Sequence, residues 1–199
     1  AAGPNSTNLS IYFTAVADVI LNGQSTVTDA DKTADNGVLH IVNTVIAIPT
    51  IGTFAATNPA LEDLVSAMTL ADSGTPTVPY LDTVFDATAG PFTVFAPTNS
   101  AFDNLLLELD PTGMTGLGDL DPALVDVVLT YHILTTNVTS SQLPNGVVAT
   151  LGGDITADNT AFTLTDANGR VSNIVTTLID IQGVNGVVHV IDAVILPLL

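Results

Sequence analysis

Three histidines, His40, His132 and His189, are the side chains in this sequence best suited to acid–base chemistry near neutral pH. A serine triad would need one of them as its base, yet the sequence contains no Gly-x-Ser-x-Gly motif. His40 and His189 each lie between apolar neighbours in a strand-like run, which favours a hydrogen-bonded structural histidine over a ligand or a catalytic base. His132 follows a predicted core helix, and structural, partner-binding and catalytic roles are all open to it.

Acidic residues between Asp29 and Gly37 could supply oxygen ligands for Ca²⁺. The glycine position differs from that of an EF-hand loop, a terminal bidentate Glu is missing, and Lys32 lies in the middle. We therefore predict a solvated loop there, and no metal or cofactor site in the chain. Paired carboxylates for hydrolysis could meet from anywhere in the fold, so spacing does not test that chemistry. Cysteine is absent, which excludes disulfides and thiolate chemistry.

The net charge and composition of the chain limit the kinds of partner that it can bind. The 199-residue chain has 20 acidic residues, only two basic residues (Lys32 and Arg170), and a formal net charge of −18. Nucleic acids and anionic membranes are unfavourable partners because both are bound by clustered Lys and Arg. Hydrophobic residues make up 47% and charged residues 11%, which favours a folded protein over a disordered one. No apolar run is long enough to cross a membrane, and the first residues lack signal-peptide features, so we expect a processed chain or a fragment of an extracellular protein.

An internal repeat is the strongest pattern in the sequence. Residues 36–46 and 185–195 share 6 of 11 positions at a separation of 149 residues, which is the size of a domain rather than of a solenoid repeat. Well over 100 residues of predicted helix and strand lie upstream of the second copy, whereas 35 residues precede the first. The first unit therefore resembles the C-terminal third of a domain whose beginning is missing.

Helical periodicity and capping residues predict four helices. Asn58-Pro59, Thr98 and Asp121-Pro122 each place a capping residue before apolar residues at helical spacing, and a shorter helix is predicted at Tyr80–Phe85. The residues predicted to face the core are Leu61, Leu64, Val65 and Met68 in the first helix, Phe102, Leu105, Leu106 and Leu109 after Thr98, and Leu124, Val127, Val128 and Tyr131 after Asp121.

Short runs rich in Val, Ile and Thr predict strands. Phe92–Phe95 is one such run, and the chain from Asn145 onward has this composition, with a turn at Asn168-Gly169. The first 49 residues share it, with strands predicted at Leu9–Leu21, Ser25–Thr28 and Val38–Ile48, a turn at Asn22-Gly23, and the acidic loop between the last two strands. Helices followed by strands in the larger unit predict the α+β class.

Three separated motifs resemble, in order and spacing, those of the fasciclin domain family. They are the block from Thr93 to Phe102, the pair Tyr131-His132, and the block from Asn185 to Asp192. The residues that carry the resemblance, and for which it implies a structural role, are Thr93, Phe95, Pro97, Thr98, Phe102, Asn185, Gly186, His189 and Asp192, with Asn36, Gly37 and His40 as counterparts in the first repeat.

The resemblance covers residues 50–199 as a complete domain, a β-wedge or sandwich with a group of packed helices. Residues 1–49 resemble the C-terminal β portion of a preceding fasciclin domain without its first block and helices. Fewer than about 50 residues struggle to build a core alone. We therefore expect this piece to pack on the complete domain, to be completed by another chain, or to be a remnant of cleavage.

The resemblance also implies an extracellular adhesion or matrix module that is not an enzyme and that binds proteins such as integrins, polysaccharides or copies of itself. It assigns binding to Tyr131 and His132 and to the adjoining Ile133 and Leu134. Burial of the Tyr131 ring and a structural His132 are the alternative, with an indirect effect on binding. Two further functions remain open: a subunit of a surface polymer built by strand completion between chains, and an extracellular hydrolase.

Overall fold

The computed structural model describes residues 3–15 and 17–198, which form three four-stranded sheets and five α-helices. Positions 1, 2, 16 and 199, which belong to the predicted units 1–49 and 50–199, lie outside the described residues. The α+β class predicted from the sequence is confirmed. All five α-helices and two of the three sheets lie within residues 50–198 of the described chain.

The first sheet is antiparallel and consists of β1 (Phe13–Ala15), β2 (Val19–Leu21), β3 (Ser25–Ala34) and β4 (Gly37–Val42) in that order. The helices are α1 (Ile51–Thr57), α2 (Glu62–Asp72), α3 (Tyr80–Phe85), α4 (Asn99–Leu109) and α5 (Pro122–Thr130). The other strands are β5 (Phe92–Pro97), β6 (Ile133–Leu134), β7 (Gly146–Ala149), β8 (Asp154–Asp158), β9 (Thr163–Thr165), β10 (Val171–Asn173), β11 (Ile181–Gly183) and β12 (Gly186–Ile191).

The central sheet has the order β11-β12-β5-β6, and its two middle strands run parallel. The register begins at the pair Gly186 and Phe92 and ends at Ile191 and Pro97. Every residue of β12 is buried, because one face of the sheet packs against the helices and the other against the antiparallel sheet β10-β9-β8-β7. Two layers of core on one strand explain its nearly continuous apolar sequence.

The predicted starts of α3, α4 and α5 are confirmed, whereas Asn58 caps a 3-10 turn, Pro59–Leu61, and α2 begins only after it. The buried face of α5 is not the predicted one. Asp121 caps α5 by accepting a hydrogen bond from the Ala123 N–H at 2.9 Å, and Thr98 caps α4 in the same way. In α5, Leu124 and Val127 are each 45% exposed, whereas Val125 and Leu129 are buried. Helical spacing alone placed the apolar stripe one residue away from the observed face, which includes the buried Asp126.

The structure of the N-terminal sheet differs from the prediction in one loop and two strands. The segment expected as an acidic loop is part of β3, which continues to Ala34 and turns through two residues into β4. The register of β3 shifts on both sides of Asp29, and Asp31 has a φ of 57°, so an irregularity in the strand accommodates the acidic run. The strand expected to reach Ile48 ends at Val42, and the run expected as one strand from Leu9 is divided into β1 and β2.

The segment before β1 contacts the edge of the central sheet and helix α1. The Ser10 N–H donates to the Gln182 carbonyl, and the Gln182 N–H donates to Ser10 Oγ, both at 2.9 Å. The Tyr12 ring lies edge-on against Phe54 with 5.0 Å between ring centres, and its hydroxyl is hydrogen-bonded to Thr57. The N-terminal piece therefore packs on the larger unit through this segment.

Candidate binding surfaces

The segment from Tyr131 to Leu134 lies where α5 ends and the short edge strand β6 begins. Tyr131 is the C-terminal cap of α5, and Ile133 and Leu134 pair with β5 opposite Val94 and Thr93. The four side chains predicted to bind a partner therefore sit between a core helix and a sheet edge. Their surroundings differ from one residue to the next.

His132 is buried, with 1% of its surface exposed. Its Nε2 accepts a hydrogen bond from the Ile195 N–H at 3.0 Å, so Nδ1 carries the proton and donates to the Val128 carbonyl at 2.9 Å. Burial lowers the pKa of His132 from 6.5 to about 4, because a charged ring there would lose its hydration. A neutral His132 thus ties the C-terminal end of α5 to the segment after β12.

Tyr131 and Leu134 also face inward for the most part. Leu134 is buried in a hydrophobic cluster with Phe95 and Ile191, and the half-buried Tyr131 ring packs against that cluster. A Cβ added at Gly153 would lie 2.7 Å from Tyr131 Oη, and one at Gly152 would come even closer to the ring. The glycine pair, which lacks the sequence context of a phosphate loop, is needed here for the close approach of the aromatic ring.

Ile133 reaches a surface cavity of about 300 Å³. The cavity lies between the central sheet, the helices α1 and α3 and neighbouring loops, and its lining residues are Ile51, Val78, Tyr80, Thr83, Val84, Phe92, Val94, Ile133, Thr135 and Leu151. Apart from the hydroxyl groups of Thr83, Thr135 and Tyr80, the lining side chains are apolar. Pockets that bind organic groups in proteins usually have volumes of about 300–1,000 Å³. The cavity is therefore large enough to receive an apolar side chain of a partner.

Residues of the blocks Thr93–Phe102 and Asn185–Asp192 connect distant parts of the fold. Thr93 Oγ1 donates to the Thr136 carbonyl at 2.6 Å, and the Asn185 side chain accepts from the Ile51 N–H at 2.9 Å. Asp192 accepts from the Asn173 N–H at 2.7 Å. The remaining members of the second unit lie in the core or at its strand and helix ends: Phe95, Pro97, Thr98, Phe102 and Gly186.

His189 is the second buried histidine. Its Nε2 donates to the Val138 carbonyl at 2.9 Å, its Nδ1 accepts from the Asp180 N–H at 3.3 Å, and its ring stacks on Phe95. Burial lowers the pKa of His189 as well. Neither of these two histidines has a free nitrogen in the structure, so neither is set up as a catalytic base.

A buried carboxylate that was not singled out from the sequence organises the helices. Asp126 accepts hydrogen bonds from the Tyr80 hydroxyl at 2.6 Å and from the Thr77 N–H and hydroxyl at 3.0 and 2.7 Å. Burial, together with this carboxylate, raises the pKa of Tyr80 far above its usual value. The signal in the sequence was an acid amid the apolar run of α5. Across residues 3–15 and 17–198, no group of three or more His, Asp or Glu side chains could hold a metal ion.

Two other surfaces are apolar. A cleft of about 80 Å³ opens between α4 and α5 and is lined entirely by apolar residues, among them Phe102, Leu105 and Val128. The second surface is the exposed side of the N-terminal hairpin β3–β4 with the residues that follow it, and its large apolar side chains are Val38, Leu39, Ile41, Val45, Ile46 and Ile48. None of the helices in the described part of the chain is both long and apolar enough to cross a membrane.

Comparison with known proteins identifies the family. The fasciclin domain model matches residues 66–197. The Synechocystis protein sll1483 is 34% identical over 94% of this chain and 95% of its own length. The cell surface glycolipoprotein MPT83 of Mycobacterium tuberculosis is 33% identical over 74% of this chain, which spans 60% of that protein. Human periostin is 31% identical over 84% of this chain, which spans 18% of it.

The fold comparison agrees. A FAS1 domain pair from the insect cell adhesion molecule fasciclin I superimposes with a TM-score of 0.58 over 96% of this chain and 66% of that one, at 18% sequence identity. At that identity the likeness concerns the fold alone. Together with the family model over residues 66–197 and the Synechocystis relative over nearly its full length, it shows that this chain belongs to the fasciclin domain family.

Proposed function

We propose that the chain is a non-catalytic adhesion module, displayed at a cell surface or in a matrix, that binds a protein partner in the cavity beside Ile133. The observation that carries the proposal is the cavity itself, which is about 300 Å³ in volume and lined almost entirely by apolar residues. An aliphatic or aromatic side chain of a partner would bury its surface there. The Tyr80 hydroxyl at this site already donates to Asp126, so few polar groups are left for a sugar.

This proposal narrows the binding role of the segment from Tyr131 to Leu134 to one residue, Ile133. His132 and Leu134 are buried, so their substitution would affect binding by disturbing the fold around β6. A relative supports the cellular setting, since it is named a cell surface glycolipoprotein.

Thr135→Trp is the direct test, because Thr135 is exposed and lies at the rim of the cavity. Beads coated with the full chain are scored for attachment to surfaces carrying matrix protein, polysaccharide or the same chain. We expect beads coated with the wild-type chain to attach to the protein-coated surface. Attachment of beads coated with the Thr135→Trp variant should be at least about tenfold lower. Thr176→Trp is the matched control, because Thr176 is exposed and does not line the cavity. Equal attachment of all three proteins, or retention on polysaccharide alone, would contradict the proposal.

We also propose that residues 1–49 are the incomplete C-terminal part of a second fasciclin unit and residues 50–199 a complete one. The structural repeat supports this division, because β3–β4 and β11–β12 share their register at a separation of 149 residues, as in Lys32 with Leu39 and Ile181 with Val188. Deletion of residues 1–49 should leave one cooperative unfolding transition for the remainder. Loss of that transition would refute the division.

A subunit of a surface polymer is the second candidate function, and the exposed apolar hairpin is the observation that favours it. Light scattering of the full chain over a range of concentrations tests it. Mass that grows with concentration supports a polymer, and a constant monomer mass refutes it.

A further inference from the structure

The cleft between α4 and α5 is separate from the cavity beside Ile133, and among the described residues the two have no lining residue in common. Its walls are the two helices, the loop that connects them and the segment that follows β12. In α4 the lining residues lie at i, i+3, i+4 and i+7, so they form one stripe about 10 Å long. These residues are Phe102, Leu105, Leu106 and Leu109.

Hydrogen bonds outside the cleft hold two of its walls in place. In the connecting loop, the Asp110 carboxylate accepts from three backbone N–H groups of residues 112–115, at 3.0 to 3.2 Å. In the segment after β12, the Leu196 N–H donates to the buried Asp166 carboxylate at 3.1 Å. The cleft is therefore a pre-formed feature of the fold, which lowers the cost of ordering a binding site.

The open side of the cleft leaves apolar side chains in contact with water. Leu109 is 54% exposed and Leu124 is 45% exposed. Every residue that lines the cleft is apolar, so an apolar group that enters it buries hydrophobic surface without leaving a polar group unpaired. The volume is about 80 Å³, whereas pockets for whole organic ligands usually enclose about 300–1,000 Å³. The cleft therefore suits side chains carried by a larger partner.

The residues that flank the cleft are acidic. Leu109 and Leu120, which line it, each lie between two acids in the sequence. Hydrogen bonds from two threonines of the loop lower the pKa of Asp110 to about 2, so this carboxylate stays charged at mildly acidic pH. Arg170 is the only Lys or Arg after residue 49, and it is bound to Glu108. The flanking acids that give the rim its net negative charge are Asp110, Asp119 and Asp121.

We infer that this cleft is a docking site for a helix of a partner protein that carries leucine or other aliphatic side chains along one face and Lys or Arg beside them. The groove between two helices receives the side-chain ridge of a third helix, and the acids of the rim attract basic residues. A second copy of this chain does not have this chemistry. Its formal net charge is −18, and its two basic residues, Lys32 and Arg170, already pair with acids of their own chain.

The probe is a labelled synthetic peptide of about 14 residues with Leu at helical spacing on one face and Lys elsewhere, titrated against the full chain by fluorescence anisotropy. We expect saturable binding that weakens as the salt concentration rises. Two control peptides, one with the same residues in scrambled order and one with Glu in place of every Lys, should not bind. Equal affinity of the scrambled peptide would mean attraction by charge alone, and equal affinity of the Glu peptide would mean that the acids do not select the partner. Either result would overturn the inference.

The double variant Leu109→Gln with Leu124→Gln tests the apolar part of the site. It removes exposed apolar surface at the mouth of the cleft, and we expect the affinity for the Leu-Lys peptide to fall at least about tenfold. Leu107→Gln with Val127→Gln is the matched control, because these residues lie on the same two helices, are 53% and 45% exposed, and do not line the cleft. Equal peptide affinity of the two double variants would contradict the assignment to the cleft.

The double variant Asp119→Asn with Asp121→Asn tests the acidic rim. Each asparagine keeps the side-chain oxygen that accepts a backbone hydrogen bond, so the loop and the helix cap are retained. At low salt the peptide should bind at least about threefold more weakly. Asp154→Asn with Asp158→Asn removes the same charge on β8, on the far side of the central sheet from the helices. Equal losses in both would show an effect of net charge and overturn the inference.

Two further measurements identify other occupants. Thr135→Trp obstructs the cavity beside Ile133 and should leave peptide affinity unchanged, so the test is independent of the proposed function. Loss of peptide binding in that variant would place the peptide at the other cavity. Light scattering without peptide tests the second copy: self-association that the Leu109→Gln and Leu124→Gln double variant abolishes would mean that the chain itself occupies the cleft. Either result would overturn the inference.

Discussion

Acidification should destabilise this protein through His132. The ring is neutral when the chain is folded, with Nδ1 donating to Val128 and Nε2 accepting from the Ile195 N–H. A second proton would go on Nε2 and place two N–H groups face to face in a site that water does not reach. On acidification, the unfolded chain therefore takes up this proton before the folded chain does.

The size of the effect follows from the two pKa values. Burial lowers the pKa of His132 from 6.5 to about 4, and each pH unit between these values corresponds to about 1.4 kcal/mol. The stabilisation from a neutral His132 is complete above about pH 6.5 and is lost as the pH falls toward 4, which amounts to about 3 kcal/mol of unfolding free energy. His189, whose pKa is also lowered by burial, adds to the loss with the same sign.

His132→Phe separates this contribution from the others. The variant lacks the titrating group and leaves the Ile195 N–H without its acceptor, so we expect it to lose about 1–3 kcal/mol at neutral pH. The Val128 carbonyl keeps the Tyr131 N–H as a donor. Urea unfolding at a series of pH values should show a loss between about pH 7 and pH 4 that is about 3 kcal/mol smaller in the variant than in the wild type.

Val125→Ala controls for lower stability as such, because Val125 is a buried, non-titrating residue of the same helix. It should lose stability at neutral pH while keeping the pH dependence of the wild type. Parallel curves for wild type and His132→Phe would show that the buried histidine does not govern the acid sensitivity, and the reasoning would be refuted.

Four further substitutions test the packing, a buried hydrogen bond and a helix cap. Gly186→Ala should lower the unfolding free energy by about 1–3 kcal/mol because its Cβ would meet the backbone of β5, whereas Gly37→Ala should change it by less than about 0.5 kcal/mol, as urea denaturation of the two variants would show. Tyr80→Phe removes a 2.6 Å hydrogen bond to Asp126 and should lose about 2 kcal/mol in the same assay; an unchanged midpoint would mean the bond is not formed in solution. Thr98→Ala removes the cap of α4 and should lower stability by about 1 kcal/mol, visible as a lower thermal midpoint.

Local chemistry was enough to predict the starts of α3, α4 and α5, whereas α1 was not predicted. Thr98 and Asp121 act as caps because a side-chain oxygen next to free backbone N–H groups needs no tertiary partner. The helix predicted at Tyr80–Phe85 has those bounds in the structure. Strand β12 was also predictable, because an apolar run with a histidine in its middle is typical of a strand buried on both faces.

The errors arose where distant residues decide the local structure. Periodicity alone put Leu124 and Val127 inside, but the Tyr80 and Thr77 donors draw Asp126 into the core and rotate the buried face of α5. Similarly, the acidic run of β3 looks like a loop until β4 is beside it, since a paired strand tolerates acids on its exposed face. Neither the donors to Asp126 nor strand β4 can be inferred from the sequence of the segment whose structure they change.

The candidate site shows the same limit. Similarity of motifs pointed to the segment from Tyr131 to Leu134, but the cavity beside Ile133 has walls from α1, α3, β5, β6 and three loops, which no local pattern connects. Within that segment the residue most suited to chemistry by type, His132, is the one with least access to solvent. Motif similarity therefore indicated the segment, and only the fold showed that Ile133 is its residue that lines the cavity.

Comparison of the two copies of the repeat distinguishes contacts that form within a hairpin from contacts that need the surrounding core. His40 and His189 accept the same hydrogen bond from an aspartate N–H nine residues earlier, so the hairpin forms this contact with or without burial. Burial and the stacking on Phe95 occur only where β5 is present. The hairpin sequence therefore specifies the register and this hydrogen bond, whereas burial depends on the neighbouring strand.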